Sequence, residues 1–393
     1  MDSLRGKVAI VGAADTPVGK LPQFSPTGLC IDAARRVMAD ANITKDKIDG
    51  LITCNSMAEP YMYHAEAMAE YLQIFPRYCM SVNAGGSTTF SILHHSAAAI
   101  ASGMCTTVLI TMADSLRTGL TRDQAMKMQS SAGHSQFEIP FGPTVPAFYA
   151  LIARAHMEKY GTTAEQFAAI AVACRKHACL NPTAEMRTPI TIDDVINSRM
   201  IADPLHLLDC SLVSDGGSAI ILTSAERAAD FPHAPVYLLG VGEGHGHEHI
   251  SQAQSLTTSF AVESGRRAYA MAGLGPSDMD LAQLYDCFTP TVLVELEDLG
   301  FCEKGKGGEF VSDGGLQAPF GKLPFNTDGG GLCNNHPSNR GGITKVIEAV
   351  RQLRNEAHPA VQVPNCQFAL AHGTGGNLAT RMGSATLILG QEV

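Results

Sequence analysis

The chain has 393 residues, 45% of them apolar and 17% charged, with a net charge of −10 at neutral pH. That length supports a sizeable core and two or three structural units, and the acidic balance argues against a basic nucleic-acid footprint. Eleven cysteines lie scattered without a C-x-x-C pair and without a secretory leader, so reduced thiols in a cytoplasm are expected rather than a disulfide framework.

Lys7–Gly12 reads as a buried opening strand that ends in a glycine turn. Cys30–Ala41 repeats apolar residues near i, i+3 and i+4 and predicts an amphipathic helix. Strands follow at Ile48–Thr53 and Arg77–Val82, a helix at Ser87–Ser102 and a strand at Thr106–Met112. The last of these is a near-continuous apolar run, which suits a strand covered on both faces. Residues 115–200 are less regular and rich in His, Pro and Met; Ser218–Thr223 then closes a first half. A second half starts near Pro235, with strands at Val236–Val241, Leu281–Tyr285, Cys366–Ala371 and Ala385–Leu389, and a helix at Gly342–Glu356. This alternation predicts an α/β layered architecture, divided at residues 1–232 and 233–393. No apolar run reaches the ~18 residues of a membrane span. The first glycine turn, Val11-Gly12-Ala13-Ala14-Asp15, is not the G-x-G-x-x-G of a dinucleotide site.

Four stretches sit at the ends of predicted elements: Ser81-Val82-Asn83-Ala84-Gly85-Gly86-Ser87-Thr88-Thr89, Tyr285-Asp286-Cys287-Phe288-Thr289-Pro290, Asn335-His336-Pro337 and His372-Gly373-Thr374-Gly375-Gly376. Together they resemble the catalytic loops of the thiolase superfamily, in particular the sterol-carrier-protein type thiolases and the related lipid-transfer-protein type aldolases. The resemblance extends over nearly the whole chain, through His156–Thr162, Lys176-His177, Asn181-Pro182 and Ser214-Asp215-Gly216-Gly217. It implies a thiolase fold of two similar α/β halves, layered α-β-α-β-α. An inserted loop domain at about 115–200 would cover the substrate tunnel.

The resemblance also assigns roles. In the family a cysteine on the first loop carries the acyl group, its thiolate favoured by the helix N-terminus; here Gly86 occupies that position. No acyl-enzyme can form on a glycine. Ser87 is a substitute nucleophile only if a base touches it, and it reads more simply as the helix N-cap. The amides of Gly85, Gly86 and Ser87 remain available to an anionic oxygen. Tyr285 replaces the His of the family's H-D-C-F loop and matches the Y-D-x-F-T-P of the aldolases, where a phenol exchanges a proton with an alcohol. Cys287 is a second proton carrier or a buried structural thiol. His336 matches the family's G-H-P histidine, which helps form an oxyanion hole. His372 belongs to the active site or to the core behind it, and Gly375 and Gly376 permit close backbone approach to the substrate. His245-Gly246-His247-Glu248-His249 places histidines on alternate positions, a weak metal signal that reads better as a solvated loop near the tunnel mouth.

Three readings compete. Retro-aldol cleavage of a 3-hydroxyacyl-CoA needs no covalent intermediate: Tyr285 or Cys287 handles the proton while His336 and loop amides hold the enolate. An acetyl-CoA acetyltransferase-like thiolase would need Ser87 or Cys287 as a displaced nucleophile. A non-catalytic acyl-CoA-binding subunit would act through a complex, since relatives of this type resemble proteins that work with a small OB-fold, zinc-ribbon partner. CoA is the substrate's carrier in each reading, with no bound cofactor and no metal. The family pattern further implies a homodimer paired through Arg77–Val82.

Overall fold

The computed structural model describes residues 3–375 and 383–393. The first half runs β1 (Val8–Asp15), α1 (Pro26–Asp40), β2 (Gly50–Thr53), α2 (His64–Leu72), β3 (Tyr78–Ser81), α3 (Thr88–Ala101) and β4 (Thr107–Ser115). Four helices follow, α4 (Arg122–Ser130), α5 (Val145–Tyr160), α6 (Ala164–Leu180) and α7 (Ile192–Ile196), then a small ribbon of β5 (Met200–Ala202) and β6 (Leu205–His206). Strand β7 (Asp215–Ser224) returns to the sheet. The second half runs β8 (Val236–His245), α8 (Ala261–Ala272), β9 (Leu281–Leu284), α9 (Thr289–Asp298), α10 (Gly307–Val311), α11 (Gly341–Leu353), β10 (Phe368–Thr374) and β11 (Gly383–Gly390).

The strands join in one nine-stranded ladder, β3-β2-β4-β7-β1-β8-β11-β10-β9. The two halves meet where β1 pairs antiparallel with β8, Ala9 opposite Tyr237 and Ile10 opposite Val236. Successive residues of a strand face opposite sides, and the core divides accordingly. Ala9, Val11, Leu51, Leu109, Ala219 and Ile221 pack on Leu29, Ala33 and Val37 of α1. Ile10, Ile52, Val108, Ile110 and Leu222 pack on Phe90 and Leu93 of α3 and on Ile343, Val346 and Ile347 of α11. Helices α3 and α11 are thus the buried middle layer, which agrees with the thiolase-type layering.

Three expectations are corrected. Gly12 is not a turn: β1 continues to Asp15, with a register shift between Ile10 and Gly12. The glycine is there for space, because a Cβ on it would lie 2.9 Å from Ala41 Cβ and 3.2 Å from Val37 Cγ2 of the covering helix. That helix starts at Pro26, four residues before Cys30, with Ser25 Oγ accepting from Gly28 N–H at 3.1 Å and Pro26 in the first turn. Residues 115–200 are largely helical. Capping boxes at Thr121/Gln124, Thr163/Gln166 and Thr191/Asp194 start α4, α6 and α7. Among the described residues, no helix is long and apolar enough to cross a membrane.

Candidate active site

The four loops converge where α3, α9 and α11 begin and β9 and β10 end. The first makes a single 3₁₀ turn, Gly85–Ser87, with Gly85 at φ +59°. Its fastening corrects the expected cap. Ser87 is fully buried and its hydroxyl donates to the Ala84 carbonyl at 2.7 Å. Thr88 does the holding instead: its Oγ1 accepts from Ala84 N–H at 2.9 Å and donates to the Gly85 carbonyl at 2.6 Å.

Gly86 is boxed in. A Cβ built on it would stand 2.3 Å from the Thr374 carbonyl oxygen and 2.7 Å from Cε1 and Cζ of Tyr285. Its own carbonyl presses on Gly373 and Gly342, where added Cβ atoms would meet it at 2.5 and 3.1 Å. The volume that a cysteine side chain would use is taken by the Tyr285 ring.

Tyr285 follows β9 directly and is 4% exposed. Its hydroxyl donates to the Ser338 carbonyl at 3.3 Å, and its ring meets His336 edge-on with centroids 5.4 Å apart. Burial pushes its phenol well above the usual value, so it carries its proton at neutral pH. Cys287 is 6% exposed, with Sγ 3.5 Å from Thr291 Oγ1, and burial pushes its thiol up to about 12. It is a thiol, not a thiolate.

Between them Asp286 anchors the site, a role the sequence reading did not assign. Lys345 Nζ lies 2.7 Å from Asp286 Oδ1, with both side chains 1% exposed. Asp286 also accepts from the amides of Gly331 at 2.8 Å and Leu332 at 3.1 Å. Burial alone would raise this carboxyl; the Lys345 ammonium and those amides hold it below its usual value. The helical turn Gly330–Asn334 that leads to His336 is thereby tied to the Tyr285 loop. Gly330, at φ +64°, permits this approach: a Cβ there would fall 2.1 Å from Asp286 Oδ2.

His336 is kept neutral, its imidazole lowered to about 4 chiefly by burial. Its Nε2 is a buried atom with no hydrogen-bond partner among the described residues. The backbone is held from the segment before β7: His336 N–H donates to Ser214 Oγ at 3.1 Å, Ser214 Oγ donates to Glu185, and Glu185 pairs with Arg117.

The other expected residues lie apart. His372 is wholly buried inside β10, Nδ1 2.8 Å from Thr386 Oγ1 and Nε2 3.8 Å from Glu295 Oε1. Burial lowers it to about 3, so it backs the site as a neutral core group. Gly375 N–H donates to the Gly383 carbonyl; Gly376 lies outside the described residues. The alternate histidines part company: His245 Nε2 is 3.2 Å from Glu243, His249 Nδ1 is 3.7 Å from Glu138, and His247 borders a cavity of about 510 Å³ with Gln252, Gln254 and Phe260. No group of three or more His, Cys, Asp or Glu placed to hold a metal occurs among the described residues.

Comparison with known proteins matches residues 8–226 to the model of the thiolase N-terminal domain and residues 242–391 to that of the thiolase C-terminal domain-like family. A steroid side-chain-cleaving aldolase of Thermomonospora curvata is 36% identical over 370 residues, 89% of this chain and 92% of that protein. An acetyl-CoA acetyltransferase of Methanothermobacter thermautotrophicus is 33% identical over 95% of this chain and 98% of its own. Among solved structures, an Ltp2-ChsH2(DUF35) aldolase superposes with a TM-score of 0.86 at 35% identity, covering 98% of each chain.

Proposed function

The chain belongs to the thiolase family, and from that membership we propose that it cleaves 3-hydroxyacyl-CoA thioesters by retro-aldol chemistry, without a covalent acyl-enzyme. The observation that carries this is the exchange at the first loop: glycine at position 86, with the Tyr285 ring in the space beside it. The aldolase relatives support the same reaction class.

The reaction breaks the C2–C3 bond of the substrate. The 3-hydroxyl proton must leave, the bonding electrons pass to C2 as a thioester enolate, and C2 must gain a proton. His336, neutral and with an open Nε2, takes the hydroxyl proton. Tyr285, kept protonated by burial, donates to the enolate and gives its proton to C2. The imidazolium then gives up the proton it took and the phenolate regains one, so the protons balance and both groups reset. Of the two proton carriers the sequence offers, the geometry favours Tyr285 over Cys287, whose thiol faces Thr291.

The acetyltransferase reading requires Ser87 or Cys287 to attack a thioester. Ser87 is buried and donates to a carbonyl, and no histidine bonds to it among the described residues. CoA serves as the substrate's carrier. A second copy pairs along β3, an edge strand hydrogen-bonded on one side by β2 and half-exposed. A small OB-fold, zinc-ribbon partner completes the acyl-CoA site; the Ltp2-ChsH2(DUF35) aldolase supports a two-component enzyme. The unpaired state of all eleven cysteines supports a reducing cytoplasm.

The test is to incubate the purified chain, alone and with its partner, with a branched 3-hydroxyacyl-CoA. A carbonyl compound and a shorter acyl-CoA are the expected products. Acyl label covalently trapped on the protein during turnover would overturn the reading, and activity absent without the partner would mark the chain as one half of an enzyme.

A further inference from the structure

Arg340 is among the largest fully buried side chains of the protein, at 1% exposure. It ends the 3₁₀ turn Ser338–Arg340, just before α11. Its guanidinium reaches into the sheet of the other half. Nη2 donates to Ser218 Oγ at 2.9 Å and to the Gly217 carbonyl at 3.3 Å, both on β7, and stands 4.0 Å from Asp15 Oδ1 on β1. Nη1 donates to Asn335 Oδ1 at 3.3 Å, the residue before His336. Gly216 makes room, since a Cβ there would lie 3.1 Å from Nη1.

We infer that Arg340 is the positioning residue of the site, clamping the His336 loop at both ends onto the N-terminal half so that His336 Nε2 and the Ser338 carbonyl, the acceptor of the Tyr285 hydroxyl, stand where the reaction needs them. This rests on the retro-aldol reading for its catalytic meaning, but the clamp itself is geometric. A guanidinium fork spans Asn335 and Ser218 at once, which the point charge of a lysine does not. Arg340 remains charged, lowered by burial only to about 10. The charged and titratable groups around His336 are Tyr285 and Asp286 after β9, Lys345 on α11, Arg340 itself, and Glu185 acting through Ser214. Lys345 and Arg340 oppose a positive imidazole, and Asp286 favours it.

Two substitutions separate position from charge. Arg340→Lys keeps the charge and loses the fork: kcat should fall by about a hundredfold, as misplacement by an ångström does, with KM nearly constant and the His336 titration midpoint, read by NMR of its ring proton, still low. Arg340→Gln removes the charge, and the same midpoint should rise. Wild-type kcat in Arg340→Lys, or an unmoved midpoint in Arg340→Gln, would overturn the inference. Should Arg340→Gln not fold, Ser218→Ala removes the shorter of the two strand-side contacts, leaving the Gly217 carbonyl, and should lower kcat in the same direction; unchanged kcat there would also count against the clamp. Failure of the reaction reading shows separately, as a wild-type chain that cleaves no 3-hydroxyacyl-CoA while its His336 midpoint still responds to Arg340→Gln, which would support the placement.

Discussion

The ring of Tyr285 lies 2.7 Å from where the first side-chain carbon of residue 86 would stand. The space that a side chain at position 86 would use is therefore taken by a phenol. The functional groups nearest that space, Tyr285 and His336, are both held in their neutral forms by burial.

Restoring the cysteine should not restore a thiolase. Gly86→Cys pushes its Cβ into the Thr374 carbonyl at 2.3 Å as well as into Tyr285. Overpacking of this kind costs about 1–3 kcal/mol, so the thermal midpoint should drop and no labelled acyl group should remain on the denatured protein. Gly86→Cys with Tyr285→Ala relieves the ring but not the carbonyl, and it too should stay unacylated.

Tyr285→Phe keeps the ring that fills the space and removes only the hydroxyl. Stability should change by about 1 kcal/mol, the worth of one hydrogen bond to Ser338. Turnover of a 3-hydroxyacyl-CoA should fall by about 10²–10⁴, the usual contribution of a positioned acid. Stopped-flow release of the carbonyl product, alongside a thermal melt, measures both.

The strands were readable because runs such as Val108–Ile110 and Ala219–Leu222 are apolar without interruption and are covered on both faces. Gly12 was misread because a glycine inside a strand and a glycine ending one look alike until the helix above it is placed. Helix α9 escaped the periodicity test for the opposite reason. All ten of its residues are buried, including Glu295, Glu297 and Asp298, so no polar face marks it. Among the described residues, Gly86, Ser87, Tyr285, Cys287 and His336 lie together at the loop ends, whereas His372 sits within β10. Asp286–Lys345 and Arg340–Ser218 join residues 59 and 122 apart, and a single sequence carries no signal that such residues meet.

Breaking the Asp286–Lys345 pair should be severe. Lys345→Met leaves a carboxylate buried at 1% exposure, and losing one partner of such a pair costs about 3–5 kcal/mol. Because Asp286 is held below its ordinary value, its contribution is present above the unfolded carboxylate range and is lost as pH falls through the lowered folded value. In Lys345→Met the chemical-denaturation midpoint should therefore lose most relative to wild type at neutral pH, and the gap should narrow in acid.

Glu348 has the opposite sign. It lies on α11 beneath Thr327, whose hydroxyl donates to its Oε1 at 2.6 Å, with Arg351 Nη1 3.8 Å away. Burial, then the nearby Asp328, pushes its carboxyl up to about 7. The unfolded chain releases this proton near the ordinary carboxylate value while the folded chain keeps it, so its stabilising effect is complete below that value and is lost as pH rises through about 7. Glu348→Gln keeps an acceptor for Thr327 and cannot ionise. Its stability relative to wild type should climb between the two values by on the order of 3 kcal/mol and level off above. The histidines oppose this trend in wild type: His177 and His336, lowered to about 4, and His372, lowered to about 3, all by burial, resist protonation when folded, and their contribution grows as pH rises from those values to the ordinary histidine range. Urea midpoints of wild type and Glu348→Gln across this range isolate the carboxyl, because the histidine contribution is common to both and cancels in the difference. A difference that stays flat with pH would mean that Glu348 titrates in the folded protein as it does in the unfolded chain.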